Sequence, residues 1–121
     1  MIAIAYWGLT LFVGLTGITA GLLDALRLPP LYGLLIHLGY PPYFGAILGA
    51  WKVLGGVALL APRKPLVKEW AYAGMFIDYS AAAASHLSMG DGFVAVIGPL
   101  LSMAALVGSW CLRPPTRRLM L

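Results

Sequence analysis

Apolar residues along this chain fall into four long runs, and the breaks between them are built from proline, glycine and charge. The runs cover residues 4–26, 43–61, 69–87 and 93–112, with punctuation at Pro29-Pro30, Pro41-Pro42, Pro62 with Pro65, and Gly90-Asp91-Gly92. A helix needs about 20 residues to cross the apolar core of a bilayer, so each run reads as a membrane span. The punctuation is turn chemistry, and tight turns place successive spans antiparallel. The expected fold is all-α: an integral membrane antiparallel four-helix bundle, with residues 1–121 forming one domain. The first run lacks a basic leader and is longer than the roughly 7–15 apolar residues of a signal peptide, so it is read as a span. Between the first two spans, PPLYGLLIHLGYPP is too short to cross and too apolar for a solvated loop. It predicts a short interfacial or re-entrant helix over 31–38, folded across the outer end of the bundle.

Composition strengthens this picture. Of 121 residues, 61% are hydrophobic and 10% charged, against about 25% charged in a soluble domain; the mean hydropathy is +0.90. The partner implied is the lipid bilayer. The net charge of +4 forms no stripe among aromatics, so nucleic acid is not expected. Arg63, Lys64 and Lys68 lie between the second and third runs, and Arg113, Arg117 and Arg118 follow the fourth. In a four-span chain these two groups share a side, and the excess of basic residues makes that side cytoplasmic. Both termini are then cytoplasmic, in a bacterial-type cytoplasmic membrane. Cys111 is the single cysteine, which excludes an intramolecular disulfide and a paired-thiol redox centre.

Two charges interrupt the apolar runs. Lys52 and Asp78 each lie near the middle of a span, and antiparallel spans bring them to similar depth. A charge at bilayer depth costs about 2.5–3.5 kcal/mol, so it faces a partner or a functional cavity. The two residues are read as an intramembrane ion pair. It either fixes helix register or forms the centre of a binding site. Each span also carries a stripe of small or polar residues at helical spacing: Thr10, Gly14, Gly17, Gly21 and Asp24; Gly45, Gly49, Lys52 and Gly56; Ala71, Gly74, Asp78, Ala82 and Ser85; Gly98, Ser102, Ala105 and Ser109. Such stripes pack membrane helices closely, or converge on a polar interior around the two charges.

Asp24, Arg27, His37, His86 and Asp91 all belong to the outer side. Their spacings match no metal motif, so no metal is expected. Histidine titrates near neutrality, and intramembrane His/Asp sets relay protons; the alternative is that both histidines are hydrogen-bonded anchors. Asp78 and His86, eight residues apart on one helix face, are separated by about 12 Å along its axis and could lead from the midplane to the outer surface. The candidate catalytic residues are therefore Asp78, His86 and His37. The candidate ligand-binding residues are Lys52, Trp51, Tyr79 and Ser85.

Several blocks resemble the DoxX-like family of small four-helix membrane proteins. They are the HLGYP turn at 37–41, Lys52 followed by Gly55-Gly56, APR at 61–63, KEWAYAG at 68–74, Ser85-His86 followed by Gly90-Asp91, and the terminal RPP at 113–115. His37, Lys52, Arg63, Glu69, Trp70, Asp78, Ser85 and His86 match family-typical positions. The resemblance implies an accessory membrane subunit. Some relatives are linked to thiosulfate oxidation and quinone reduction, others partner a rhodanese or superoxide dismutase, and distant animal relatives resemble assembly chaperones. The expected function is binding of a lipophilic, quinone-like molecule at the polar intramembrane site, in a redox-linked accessory role. No CxxC, haem-ligand pair or flavin motif is present, so electrons come from a redox partner protein; a homodimer is the other expected association. Two alternatives stand beside this reading: a non-enzymatic assembly or scaffolding protein with a structural ion pair, and a membrane-embedded proton-shift isomerase.

Overall fold

The computed structural model describes residues 1–29, 31–61 and 64–118; Arg63, part of the expected basic cluster, lies outside them. The elements are α1 (Ile2–Ala25), α2 (Leu31–His37), α3 (Phe44–Leu60), α4 (Pro65–Ser88) and α5 (Phe93–Cys111), followed by a 3-10 turn at Pro115–Arg117. All are helical. The short helix expected at 31–38 is α2. The largest boundary difference is at α4, which starts at Pro65 rather than at residue 69. Proline suits the first helical turn, where its missing N–H is no loss. The Lys68 side chain, expected in a loop, folds back on α3 instead: its ammonium donates to the carbonyls of Ala58, Leu59 and Ala61. Arg117 donates to Leu59 O at 2.7 Å and Ala61 O at 3.0 Å. These carbonyls have no helical partner at a helix C-terminus, so the two cations cap α3 and pin the C-terminal segment to the same end.

The four long helices pack in a ring, α1 against α3 and α5, and α4 against α3 and α5. The α1–α3 seam is the tightest. A Cβ built on Gly21 would lie 2.6 Å from Gly49 O and 2.8 Å from Val53 N, and one on Gly56 would lie 2.6 Å from Gly14 O. The glycine stripes of these two helices therefore meet backbone to backbone, antiparallel. At the capped end the interior is filled by Val13, Leu59, Tyr72, Met75 and Leu106. A hydroxyl chain crosses it, Ser109 Oγ lying 2.6 Å from Thr10 Oγ1 and 2.7 Å from Tyr72 Oη. Toward the other end the helices part.

The outer surface is more apolar than that of a soluble bundle, and several polar groups are buried. Thr10, Asp24, Lys68, His86, Ser109 and Arg117 are buried, while Phe12, Leu15, Trp51, Leu54, Ile77 and Leu101 are exposed. Two helices, α1 and α5, are long and apolar enough to cross a membrane. Only 28% and 17% of their apolar windows are buried, whereas the core helix of a soluble protein would be mostly buried. The third apolar helix, α3, has 17 residues. Lys68, Glu69 and Asp78 lower the hydropathy of α4.

Candidate functional site

Where the helices part they enclose a cavity of about 630 Å³. Its walls are mainly apolar, from Leu34 and Leu35 on α2 and Leu38 just after it to Phe44, Leu48 and Met75 on the long helices. Polar groups interrupt them on more than one wall, Thr16 on α1 and Tyr40 after α2 among them. Asp24 comes from α1, Lys52 from α3, and Asp78, Tyr79 and His86 from α4. On the α5 wall lie Ala95, Pro99 and Ser102. Pro99 has no N–H, so the Ala95 carbonyl lacks its helical donor.

Lys52 meets the expected Asp78 only at the limit of contact and has a closer partner that the sequence did not suggest. Its ammonium donates to Asp24 Oδ2 at 3.0 Å, while Asp78 Oδ2 is 4.0 Å away. Asp24 was expected beside Arg27 in the outer cluster; it turns inward to Lys52 instead. The reason is the glycine seam. Lys52 Cβ lies 2.9 Å from the point where a Gly21 Cβ would stand, and Asp24 follows Gly21 by three residues, on the same helix face. The small-residue stripe that ends in Asp24 held this information. Asp24 is 1% exposed, and Asp78, facing the cavity, is 22% exposed.

The outer cluster closes on Asp91. His86 Nδ1 lies 2.6 Å from Asp91 Oδ2, and His37 Nε2 lies 2.8 Å from Asp91 Oδ1. One carboxylate thus joins α2 to the α4–α5 turn. Tyr40 Oη lies 2.6 Å from Ser85 Oγ and its ring stacks on Phe44 at 4.9 Å, which fastens the segment after α2. The structure therefore brings Lys52, Asp78, Tyr79 and His86 to the cavity, and sets His37 and Ser85 as fasteners of its cover. Trp51 does not join them. Consecutive helical residues point about 100° apart, so with Lys52 inward Trp51 faces out, 69% exposed. It lines a second hollow of about 330 Å³ between α3 and α4, which also touches Lys52 and Asp78. Among the described residues, no group of three His, Cys, Asp or Glu is arranged to hold a metal ion.

The hydrogen bonds from His86 and then His37 hold the Asp91 carboxyl below the usual carboxylate range. A carboxyl with a depressed native value stabilises the fold above its unfolded value, about 3.9, and that contribution is lost as pH falls through the lowered native value. Protection of the α2 amides, their exchange rate relative to that of the unfolded chain at the same pH, is therefore expected to hold from neutrality down to about pH 4 and to fall below it. In Asp91→Asn the same amides should exchange faster already at neutral pH. Protection independent of both pH and this substitution would show that the latch does not hold α2.

A family model, that of the DoxX-like family, matches residues 8–109. The match runs from α1 to the last turns of α5 and includes every residue of the cavity and of the Asp91 cluster. No curated protein and no solved structure matches the chain.

Proposed function

Because the chain belongs to the DoxX-like family, we propose that it is a small integral membrane protein whose cavity binds a lipophilic molecule with a polar, carbonyl-bearing head. In this reading α1, α3, α4 and α5 cross a bacterial-type cytoplasmic membrane as an antiparallel bundle, with both termini cytoplasmic. The α2 helix covers the outer mouth. The ligand is quinone-like, and the protein serves as an accessory subunit to a redox partner that supplies electrons.

The observation that carries this reading is the distribution of polarity in the cavity of about 630 Å³. Ligand pockets are mostly apolar with a few placed polar groups, and here the charges meet at one depth. The Lys52 ammonium has donors beyond the one given to Asp24, which suits a ligand carbonyl. His86 and Ala95 line the cavity from the adjacent helices α4 and α5, beside where a second polar substituent would lie. A hydrogen bond to a charged group contributes about 1.5–3 kcal/mol. Lys52→Met is therefore expected to weaken binding of a quinone analogue to the purified protein by about tenfold to a hundredfold. His86→Ala should weaken it less.

The second reading, a non-enzymatic assembly or scaffolding protein, is favoured by the direct Lys52–Asp24 contact at 3.0 Å with Asp24 buried, the geometry of a pair that ties α3 to α1. No binding by the parent protein, or equal binding by all three, would leave this reading ahead.

A further inference from the structure

The sequence holds four acidic residues, Asp24, Glu69, Asp78 and Asp91, and three are served by donors. Asp24 takes the Lys52 ammonium at 3.0 Å. Glu69 accepts from Trp110 Nε1 at 3.1 Å and lies 3.3 Å from Arg113 Nη2. Asp91 is clasped by two histidines. Among the described residues Asp78 accepts no hydrogen bond, and its nearest cation is the already engaged Lys52, 4.0 Å away.

We propose that Asp78 carries a proton in the resting protein and is the hydrogen-bond donor that the cavity offers to a ligand oxygen, its ionisation set by the competition between Asp24 and Asp78 for Lys52. One ammonium facing two carboxylates leaves one negative charge over. Carboxylates that share a site do not both ionise readily, and the one left without a close cation or hydrogen bonds keeps its proton. Asp24 has the shorter contact and the hydrogen bond from Lys52, so the proton falls to Asp78. The other groups facing it do not change this balance. Tyr79 adjoins it on α4, and His86 lies two turns further out, engaged with Asp91. The cavity walls bring Ala95, Pro99 and Ser102 from α5, Leu34 and Leu35 from α2, and Leu38 from the turn after it, none of them charged.

Both hollows reach Asp78, the larger cavity and the groove between α3 and α4. An apolar reagent can therefore approach it from either. A neutral Asp78 also defines what the site selects. With Lys52 and the Asp78 O–H on one floor, it favours a ligand oxygen that accepts two hydrogen bonds over one that must donate. If a ligand withdraws the proton, the carboxylate formed is 4.0 Å from the Lys52 ammonium, which is in place to stabilise it.

This inference rests on the cavity reading above, but its test needs no ligand, so the two stand or fall separately. Dicyclohexylcarbodiimide is an apolar reagent that adds to protonated carboxyl groups. The full chain in detergent is treated at neutral pH, and adducts are mapped by peptide mass spectrometry. Asp78 should be labelled and Asp24 should not. Asp24→Asn releases Lys52 to Asp78, and a cation moved close lowers a carboxyl by about 1–3 units. Labelling of Asp78 should then fall by about tenfold or more. Should Asp24→Asn not fold, a pH series on the parent chain decides. Labelling of Asp78 should persist through neutrality and fade only on the alkaline side. No labelling of Asp78 at neutral pH, equal labelling of Asp24, or undiminished labelling in a folded Asp24→Asn would each overturn the proposal.

Discussion

Lys52→Met is expected to destabilise the protein by about 3–5 kcal/mol, the cost of leaving a buried partner charge uncompensated. Asp78→Asn should cost about 1 kcal/mol or less, because a neutral amide replaces a side chain that accepts no hydrogen bond and lies at the limit of contact with Lys52. The order follows from the geometry at the floor of the cavity. Removal of Lys52 strands Asp24, which is 1% exposed and has the ammonium at 3.0 Å. Removal of Asp78 takes away only the contact at 4.0 Å and leaves the inner pair intact. Asp24→Asn falls between the two, because Lys52 can turn to Asp78. The double change Lys52→Met with Asp24→Asn should regain much of the loss, since a neutral replacement for a whole buried pair is often tolerated. Thermal unfolding in detergent reads all four. If Asp78→Asn proves as damaging as Lys52→Met, then Asp78 is the true partner of Lys52 and the assignment of Asp24 is wrong.

The same residues show how far the sequence can be read. Helix positions were legible because prolines and glycines bound each apolar run; α1, α3 and α5 begin and end within two residues of the expected limits. The start of α4 was not, because Lys68 looks like a loop residue until the carbonyls of Ala58, Leu59 and Ala61 are seen to need a donor. Lys52 and Asp78 were legible as neighbours, since two charges near the middle of adjacent antiparallel runs must come to similar depth. Asp24 was read by its distance from the end of a run, a coordinate that does not say which helix it faces. That depends on how closely α1 and α3 approach, which is a property of the pair. Trp51 shows the same limit. Depth puts it near Lys52, and the two line one hollow, but a helical rotation of about 100° keeps it out of the larger cavity.

The glycine seam also governs whether the site exists. The expectation is that Gly49→Ala destabilises the protein by about 1–3 kcal/mol, the usual range for overpacking, and weakens ligand binding as well. Gly74→Ala should instead be neutral or add up to about 1 kcal/mol, the difference in helix propensity. At Gly49 a Cβ would strike the Gly21 carbonyl and the Ala25 backbone nitrogen. Backbone cannot rotate away as a side chain can, so α1 and α3 must separate. The Lys52–Asp24 pair sits one turn along the same seam, and a few tenths of an ångström there lengthen a hydrogen bond of 3.0 Å. At Gly74, nothing lies within 4 Å of the point where a Cβ would stand, because this part of α4 borders the hollows instead of a neighbouring helix. The two substitutions add the same methyl group to helical glycines, and only their surroundings differ. Comparing their unfolding temperatures and their affinities for a quinone analogue separates the seam from the cavity wall. Equal effects on stability would mean that α1 and α3 are not in backbone contact, and the inward turn of Asp24 would lose its cause.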